Sequence, residues 1–201
     1  MKQNKIAIIY DFDGTLTPKT MQEYTLLPKL GINPNMFWKN IIREASLTGG
    51  ETMMVYMRQL LEQANKKNIK ISKNEFYKMG KDIKYYKGVK EWFQNINNYV
   101  KDKSGNNIDI CHYIISAGHL EILEGISIKK YIKTIFASEY FYDKSKHARF
   151  PKVVVTDTTK TQYLFRINKG KEKLSESINT HMPESHRPIP FDNIIYIGDG
   201  L

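Results

Sequence analysis

Asp11-Phe12-Asp13-Gly14-Thr15-Leu16 follows directly on the apolar run Ile6-Ala7-Ile8-Ile9-Tyr10. A short unbroken apolar run is the pattern of a strand covered on both faces, as in a parallel sheet. Such a strand carries Asp11 and Asp13 to its carboxyl end, where open α/β sheets bind their ligands. Gly14 lets the chain turn sharply or approach a ligand closely. Taken alone, Asp-x-Asp-Gly is equally the signature of an acidic turn without chemistry, so the decision rests on the rest of the chain.

Two further segments end in the same manner. Residues 108–115 are rich in Ile and Tyr and run into Ser116-Ala117-Gly118; residues 193–197 run into Gly198-Asp199-Gly200-Leu201. Strands are also expected over 134–142 and 153–155, and helices over 89–99, 120–132 and 158–168. Loops are expected over 101–107, 147–151 and 171–190. The alternation of strand and helix predicts a doubly wound, Rossmann-like parallel sheet. Parallel strands end on one edge, so the three polar clusters should converge.

Residues from about 20 to 84 show no strand pattern. A first helical stretch, 21–30, is interrupted by Pro28 and closed by Gly31. Pro34 opens a second, with Met36, Phe37, Ile41 and Ile42 on one side, and Thr48-Gly49-Gly50 breaks it. Residues 51–65 place Met54, Met57, Leu60, Leu61 and Ala64 at helical spacing. Ser72 with Glu75 reads as a capping box for a helix carrying Phe76, Met79 and Ile83. The expectation is a small all-helical subdomain over 20–85, inserted after the first strand, between two parts of a core at 1–19 and 86–201. Its methionines are expected to be core first and an adaptable pocket lining second.

The bulk properties exclude several classes. With 201 residues and 41% hydrophobic content the chain has the composition of a folded domain. The net charge of +10 comes from scattered lysines, which fits solvated surface or small anionic substrates better than nucleic acid. No zinc-finger spacing or aromatic RNA-binding motif accompanies it. Lys144, Lys146, His147 and Arg149 form a small basic cluster, read as solvated loop first and phosphate recruitment second. The single cysteine, Cys111, allows no internal disulfide, which fits a reducing, cytoplasmic setting. No apolar stretch is long enough for a membrane span, and the amino-terminal run is too short for a signal peptide.

Asp11, Asp13 and Asp199 around one point would repel one another. A hard divalent cation removes that cost, and Mg²⁺ is typically held by one or two carboxylates plus a substrate phosphate. A Ser116 hydroxyl, backbone N–H groups after it and a lysine would complete a site for phosphoryl transfer, where positioning and charge stabilisation dominate. His119 is read as a helix-start residue without a role. His181 and His186 are read as loop residues.

These motifs, in this order, resemble the haloacid dehalogenase superfamily and within it the phosphatases. Asp11 to Leu16 match the first motif, Ile114-Ile115-Ser116-Ala117-Gly118 the second and Ile197-Gly198-Asp199-Gly200 the fourth. The resemblance implies that Asp11 is the nucleophile, with Asp13 protonating the leaving oxygen and later activating water. It implies that Asp11, the Asp13 main-chain carbonyl and Asp199 hold Mg²⁺, and that Thr15, Ser116, Ala117 and Gly118 position the phosphoryl group. The third motif is a lysine, for which Lys160 is favoured over Lys169, Lys152 and Lys171. The helical insertion corresponds to the family's cap, and the substrate is expected to be a small phosphorylated metabolite. Phosphotransfer to another acceptor, or a non-catalytic phosphate-binding module, are the alternatives. Phosphoserine phosphatases carry a Glu nine residues after the nucleophile; that position is Thr20 here and the nearest acid is Glu23, so phosphoserine is not assigned. The family's pattern continues beyond Gly-Asp-Gly with a further Asp and more secondary structure, whereas this chain ends at Leu201. It is therefore expected to be a fragment or a naturally short form, with part of the Mg²⁺ support missing.

Overall fold

The computed structural model describes residues 3–200, so Leu201, the last residue of the Gly198 stretch, lies outside the described residues. Five strands form one sheet: β1 (Lys5–Tyr10), β2 (Asp109–His119), β3 (Ile132–Tyr142), β4 (Ala148–Val153) and β5 (Ile194–Ile197), in the order β4-β3-β2-β1-β5. The β1–β2, β1–β5 and β2–β3 pairs are parallel and β3–β4 is antiparallel. The architecture is thus the α/β sheet expected, with one antiparallel edge.

The period of two along β1 divides its side chains between two cores. Ala7 and Ile9 lie on one face with Tyr113, Ile115 and residues of α8 (Lys160–Lys169), where Tyr163 stacks on Phe136 at 4.8 Å. Ile8 and Tyr10 lie on the other face, in a core that continues into the helical insertion. That insertion comprises α1 (Met21–Tyr24), α2 (Leu26–Lys29), α3 (Pro34–Thr48), α4 (Thr52–Lys66) and α5 (Lys73–Met79). Beneath α6 (Val89–Ser104), Tyr10 accepts from Trp92 Nε1 at 2.8 Å and lies 3.0 Å from His112 Nδ1, while His112 Nε2 is 2.9 Å from Asn97 Oδ1. These bonds satisfy the polar groups buried there.

Local chemistry accounts for the helix ends. Asn33 caps α3 with Pro34 in its first turn, Gly49 closes it at φ 67°, and Ser72 with Glu75 forms the expected capping box on α5. Other expectations need correction. The first helical stretch breaks at Thr25, whose hydroxyl donates to the Met21 carbonyl at 2.7 Å. Pro28 instead sits in the first turn of α2, where no N–H is needed. Met36, Ile42 and Met54 are exposed, and the buried stripes are Phe37, Ile41, Ala45 and Val55, Tyr56, Met57, Leu60. Helix α6 runs on to Ser104, stopped by Gly105, so 101–104 is not loop; of its side chains Phe93 is the fully buried one. The stretch 148–151 is strand: Pro151 is tolerated at a sheet edge, and Phe150 stacks on Phe141 at 5.1 Å. The run 153–155 leaves the sheet after Val153, with the Val155 N–H donating to Ser138 Oγ at 2.9 Å.

The expected helix over 120–132 is only α7 (Leu120–Glu124). It stops at Gly125, whose Cα lies so close to α5 that an added Cβ would stand 1.8 Å from the Tyr77 carbonyl oxygen. The contact is reciprocal, since a Cβ on Gly80 would be 2.4 Å from the Ile122 oxygen. Backbone cannot yield as a side-chain tip can, so Gly125→Ala should destabilise the fold by about 1–3 kcal/mol. Urea unfolding checks this, against Gly50→Ala as a control whose nearest neighbours are side chains.

Candidate active site

Parallel register brings the distant motifs together. Tyr10 pairs with Ile114 on one side and Ile197 on the other, so Asp11 and Asp199, just past β1 and β5, and Ser116, still within β2, come to the same end of the sheet. The Asp11 N–H donates to the Ile197 carbonyl at 2.8 Å. Asp11 Oδ1 accepts the Phe12 N–H at 2.7 Å, and Asp11 Oδ2 lies 2.7 Å from Lys160 Nζ. Burial lowers the Lys160 pKa, but the hydrogen bond and charge of Asp11 outweigh it and hold it above the usual lysine value. Lys160 sits at the start of α8 because Thr159 and Thr156 close a hydrogen-bonded turn ahead of it. The other candidate lysines are engaged elsewhere. Lys169 donates to the Thr180 and Ile178 carbonyls, Lys171 to Ser177, and Lys152 pairs with Glu139.

Asp13 has a different setting. Although the residue is partly accessible, its carboxyl is enclosed by protein, and burial pushes it up to about 7. The Met21 N–H, donated to Oδ1 at 2.8 Å, and the Lys160 charge oppose this, while Asp11 and Asp199 add to it. The loop between them is tight: Gly14 stands at φ 82° and donates to the Thr17 carbonyl at 2.9 Å. A Cβ there would fall 2.1 Å from Asp199 Oδ2, so only glycine lets Asp199 approach. Thr15 Oγ1 donates to Asp199 Oδ1 at 3.3 Å.

Ser116 is buried, and its Oγ accepts the Gly118 N–H at 3.0 Å. Strand β2 continues through Ala117 and Gly118, with irregular pairing between Ser116 and His119. The backbone N–H groups of Gly118 and His119 are thus already engaged, the second with Met21 Sδ at 3.2 Å. This differs from the open set of amides expected after Ser116.

Mg²⁺ suits the donors assembled here. The Asp199 carboxylate lies against Gly14, Asp11 follows β1 directly, and the Asp13 side chain is bonded to the Met21 N–H. Among the described residues no three His, Cys, Asp or Glu side chains form a metal cluster; an ion held by two carboxylates does not need one, and Mg²⁺ is commonly bound so.

Sequence reasoning missed the support beneath the site. His119 is fully buried, with Nε2 2.6 Å from Tyr56 Oη, and Tyr56 accepts from Gln22 Nε2 at 2.8 Å. Tyr56 and His119 share one hydrogen bond whose direction depends on the His119 tautomer, and burial lowers the His119 pKa to about 3, which keeps it neutral. The signal available in the sequence was two polar residues, Gln22 and Tyr56, on otherwise apolar helix faces.

Comparison with known proteins bears on the fold. No family model matches the chain. An uncharacterized protein of Borreliella burgdorferi is 28% identical over 221 aligned residues, which span all of this chain and 76% of that protein. A haloacid dehalogenase (HAD) family hydrolase from Salmonella enterica serovar Typhi superposes with a TM-score of 0.63 at 14% identity, covering 96% of this chain and 55% of that one. A phospho-aspartyl intermediate analogue of phosphoserine phosphatase gives 0.58 at 17% identity, covering 98% and 79%. The fold is that of the HAD hydrolases and phosphoserine phosphatases. This chain spans about half the length of the Salmonella hydrolase, and each of these structural likenesses is one of fold.

Two measurements test the support. Tyr56→Phe strands the Gln22 and His119 groups it joins and should cost about 1–3 kcal/mol in urea unfolding. His112, lowered by burial to about 4, and His119 are both neutral in the fold. The unfolded chain protonates them near pH 6.5, so it binds more protons than the fold below that pH. Each histidine should therefore remove stability as pH drops from 7 towards 4, by up to about 1.4 kcal/mol per pH unit, while Asp13, which keeps its proton in the fold up to about 7, acts in the opposite direction over the same range. The histidine share is read as the difference between the protein and His112→Gln in urea midpoint against pH; an identical pH dependence in the two contradicts it.

Proposed function

We propose that the protein is a phosphatase of the HAD type that hydrolyses a small phosphomonoester through an aspartyl-phosphate on Asp11. The observation that carries this reading is the contrast between two neighbouring carboxylates. Asp11 is held in an ion pair with Lys160, whereas Asp13 is enclosed, bonded to the Met21 N–H and pushed up to about 7. A group of that pKa can both give and take a proton near neutral pH.

In the first step an Asp11 oxygen forms a bond to phosphorus as the ester P–O bond breaks. Asp13 passes its proton to the departing alcohol oxygen. In the second, water attacks phosphorus, its proton goes to Asp13, and the Asp11 oxygen leaves, releasing inorganic phosphate. The Lys160 ammonium balances charge on the phosphoryl oxygens and keeps Asp11 oriented. Ser116, with Ala117 and Gly118, lines the phosphoryl position, and Thr15 steadies Asp199. Mg²⁺ would be held by Asp11, Asp199 and the Asp13 carbonyl, and when bound supplies positive charge to the phosphoryl oxygens. Residues 20–85 act as the cap over the core of 1–19 and 86–201. The fold shared with a phosphoserine phosphatase captured as a phospho-aspartyl analogue supports the covalent route. The single cysteine and a phosphorylated metabolite as substrate fit the cytoplasm.

Hydrolysis of p-nitrophenyl phosphate with and without Mg²⁺ is the direct assay. The expected result is Mg²⁺-dependent turnover that Asp11→Asn abolishes, that Asp13→Asn lowers about 10²–10⁴-fold, and that Lys160→Met lowers about 10²–10³-fold. Turnover unchanged in Asp11→Asn would falsify the assignment. Phosphate appearing on an added alcohol, in place of release to water, points to phosphotransfer.

A further inference from the structure

Two basic segments far apart in sequence face each other across a cleft outside the Asp11 site. One runs from the end of α4 and carries Lys66, Lys67 and Lys70; the other is the β3–β4 turn with the start of β4, carrying Lys144, Lys146 and Arg149; of these, Lys70 and Arg149 line the cleft itself. Their backbones are joined directly: the Ala148 N–H donates to the Ile71 carbonyl at 2.9 Å, and Ser72 bridges to His147. The cleft between them has a volume of about 240 Å³. Its floor is aliphatic, from Leu61, Ala64, Ile69 and Ile71, and its polar rim includes Lys70, Arg149, His147 and Ser145.

The charge balance is one-sided. No acidic side chain lines the cleft. Of the flanking acids, Glu62 pairs with Arg58, and Asp143 pairs with Arg149 on the cleft rim, which balances the charge of both, so the excess positive charge comes from the lysines. Among the described residues, Lys66, Lys67, Lys70, Lys144 and Lys146 have no carboxylate within ion-pair distance. Several like charges around a concave surface with an apolar floor concentrate field lines in the cavity and attract an anion. The floor adds a second requirement. It contains no aromatic ring, so it offers nothing for a nucleobase to stack on, yet it rewards an aliphatic group taken out of water.

We propose that this cleft binds a small phosphate monoester carrying a short aliphatic group, with the phosphate on Lys70 and Arg149 and the aliphatic part over Leu61, Ile69 and Ile71. The cleft shares no residue with the Asp11, Asp13, Lys160 and Asp199 group, so this is a second anion site. Its occupant would contact the helical insertion and the sheet hairpin together, and would tie one to the other. The inference stands on the cleft alone and does not require the catalytic reading.

The test is calorimetric titration of n-butyl phosphate into the full chain carrying Asp11→Asn, which prevents turnover. Expected are saturable binding, weaker binding of inorganic phosphate, and at least a tenfold loss of butyl phosphate affinity on adding Lys70→Gln and Arg149→Gln. Lys70→Gln alone breaks no ion pair and should show the same direction of loss; thermal melts establish that each variant is folded. Affinity unchanged by these substitutions but lost with Ser116→Ala would place the ligand in the Asp11 site and overturn the proposal. Equal affinity for inorganic phosphate, no binding at millimolar concentration, or binding only to phosphatidate vesicles would also overturn it, the last by making a lipid surface the source of the phosphate.

Discussion

Lys160 Nζ and Asp11 Oδ2, 2.7 Å apart and both largely buried, join the start of α8 to the end of β1 across most of the chain. A buried pair of this kind is not strong evidence of stability, because both charges have lost water. It does impose a condition: each partner must be where the other is. The sheet order that sets β1 between β2 and β5, the threonine-built turn ahead of α8 and the Gly14 loop all serve that condition. Once it is met, Asp11 has a fixed orientation, and Asp13, two residues on, faces away from it toward the helical insertion.

The insertion reaches into the site through one residue. Met21 gives its N–H to Asp13 and takes the His119 N–H on its sulfur. A Cβ on Gly118 would lie 2.1 Å from the Met21 methyl. The first turn after the β1 loop is thus pressed against the end of β2, and Gln22, Tyr56 and His119 fix it from below. The setting of Asp13 is a property of this junction between sheet and helices rather than of the Asp-x-Asp motif alone.

Much of this was legible in the sequence. Apolar runs ending in Asp11, Ser116 and Asp199 identify parallel strands, because a strand buried on both faces has little choice of composition. The capping box at Ser72 and the stop at Gly49 are local chemistry that survives any tertiary context. What was not legible depended on packing. The β3–β4 hairpin was hidden by Pro151, which edge strands tolerate. The short α7 was hidden by an apolar pattern that continues past Gly125, and only the approach of α5 explains why the helix stops. His119 looked idle because its partners come from α1 and α4, distant in sequence. Lys160 was one lysine of many in the sequence; its contact with Asp11 comes from the fold, while Lys169, Lys171 and Lys152 are tied to other groups.

The Gly80–Gly125 crossing makes one seam of the molecule independent of side-chain packing. Backbone meets backbone there with no space for a methyl group, so no interposed side chain can re-pack to absorb a change. Any residue larger than glycine at either position must displace the main chain of the opposite element, which makes the spacing of α5 and α7 a property of the two glycines alone.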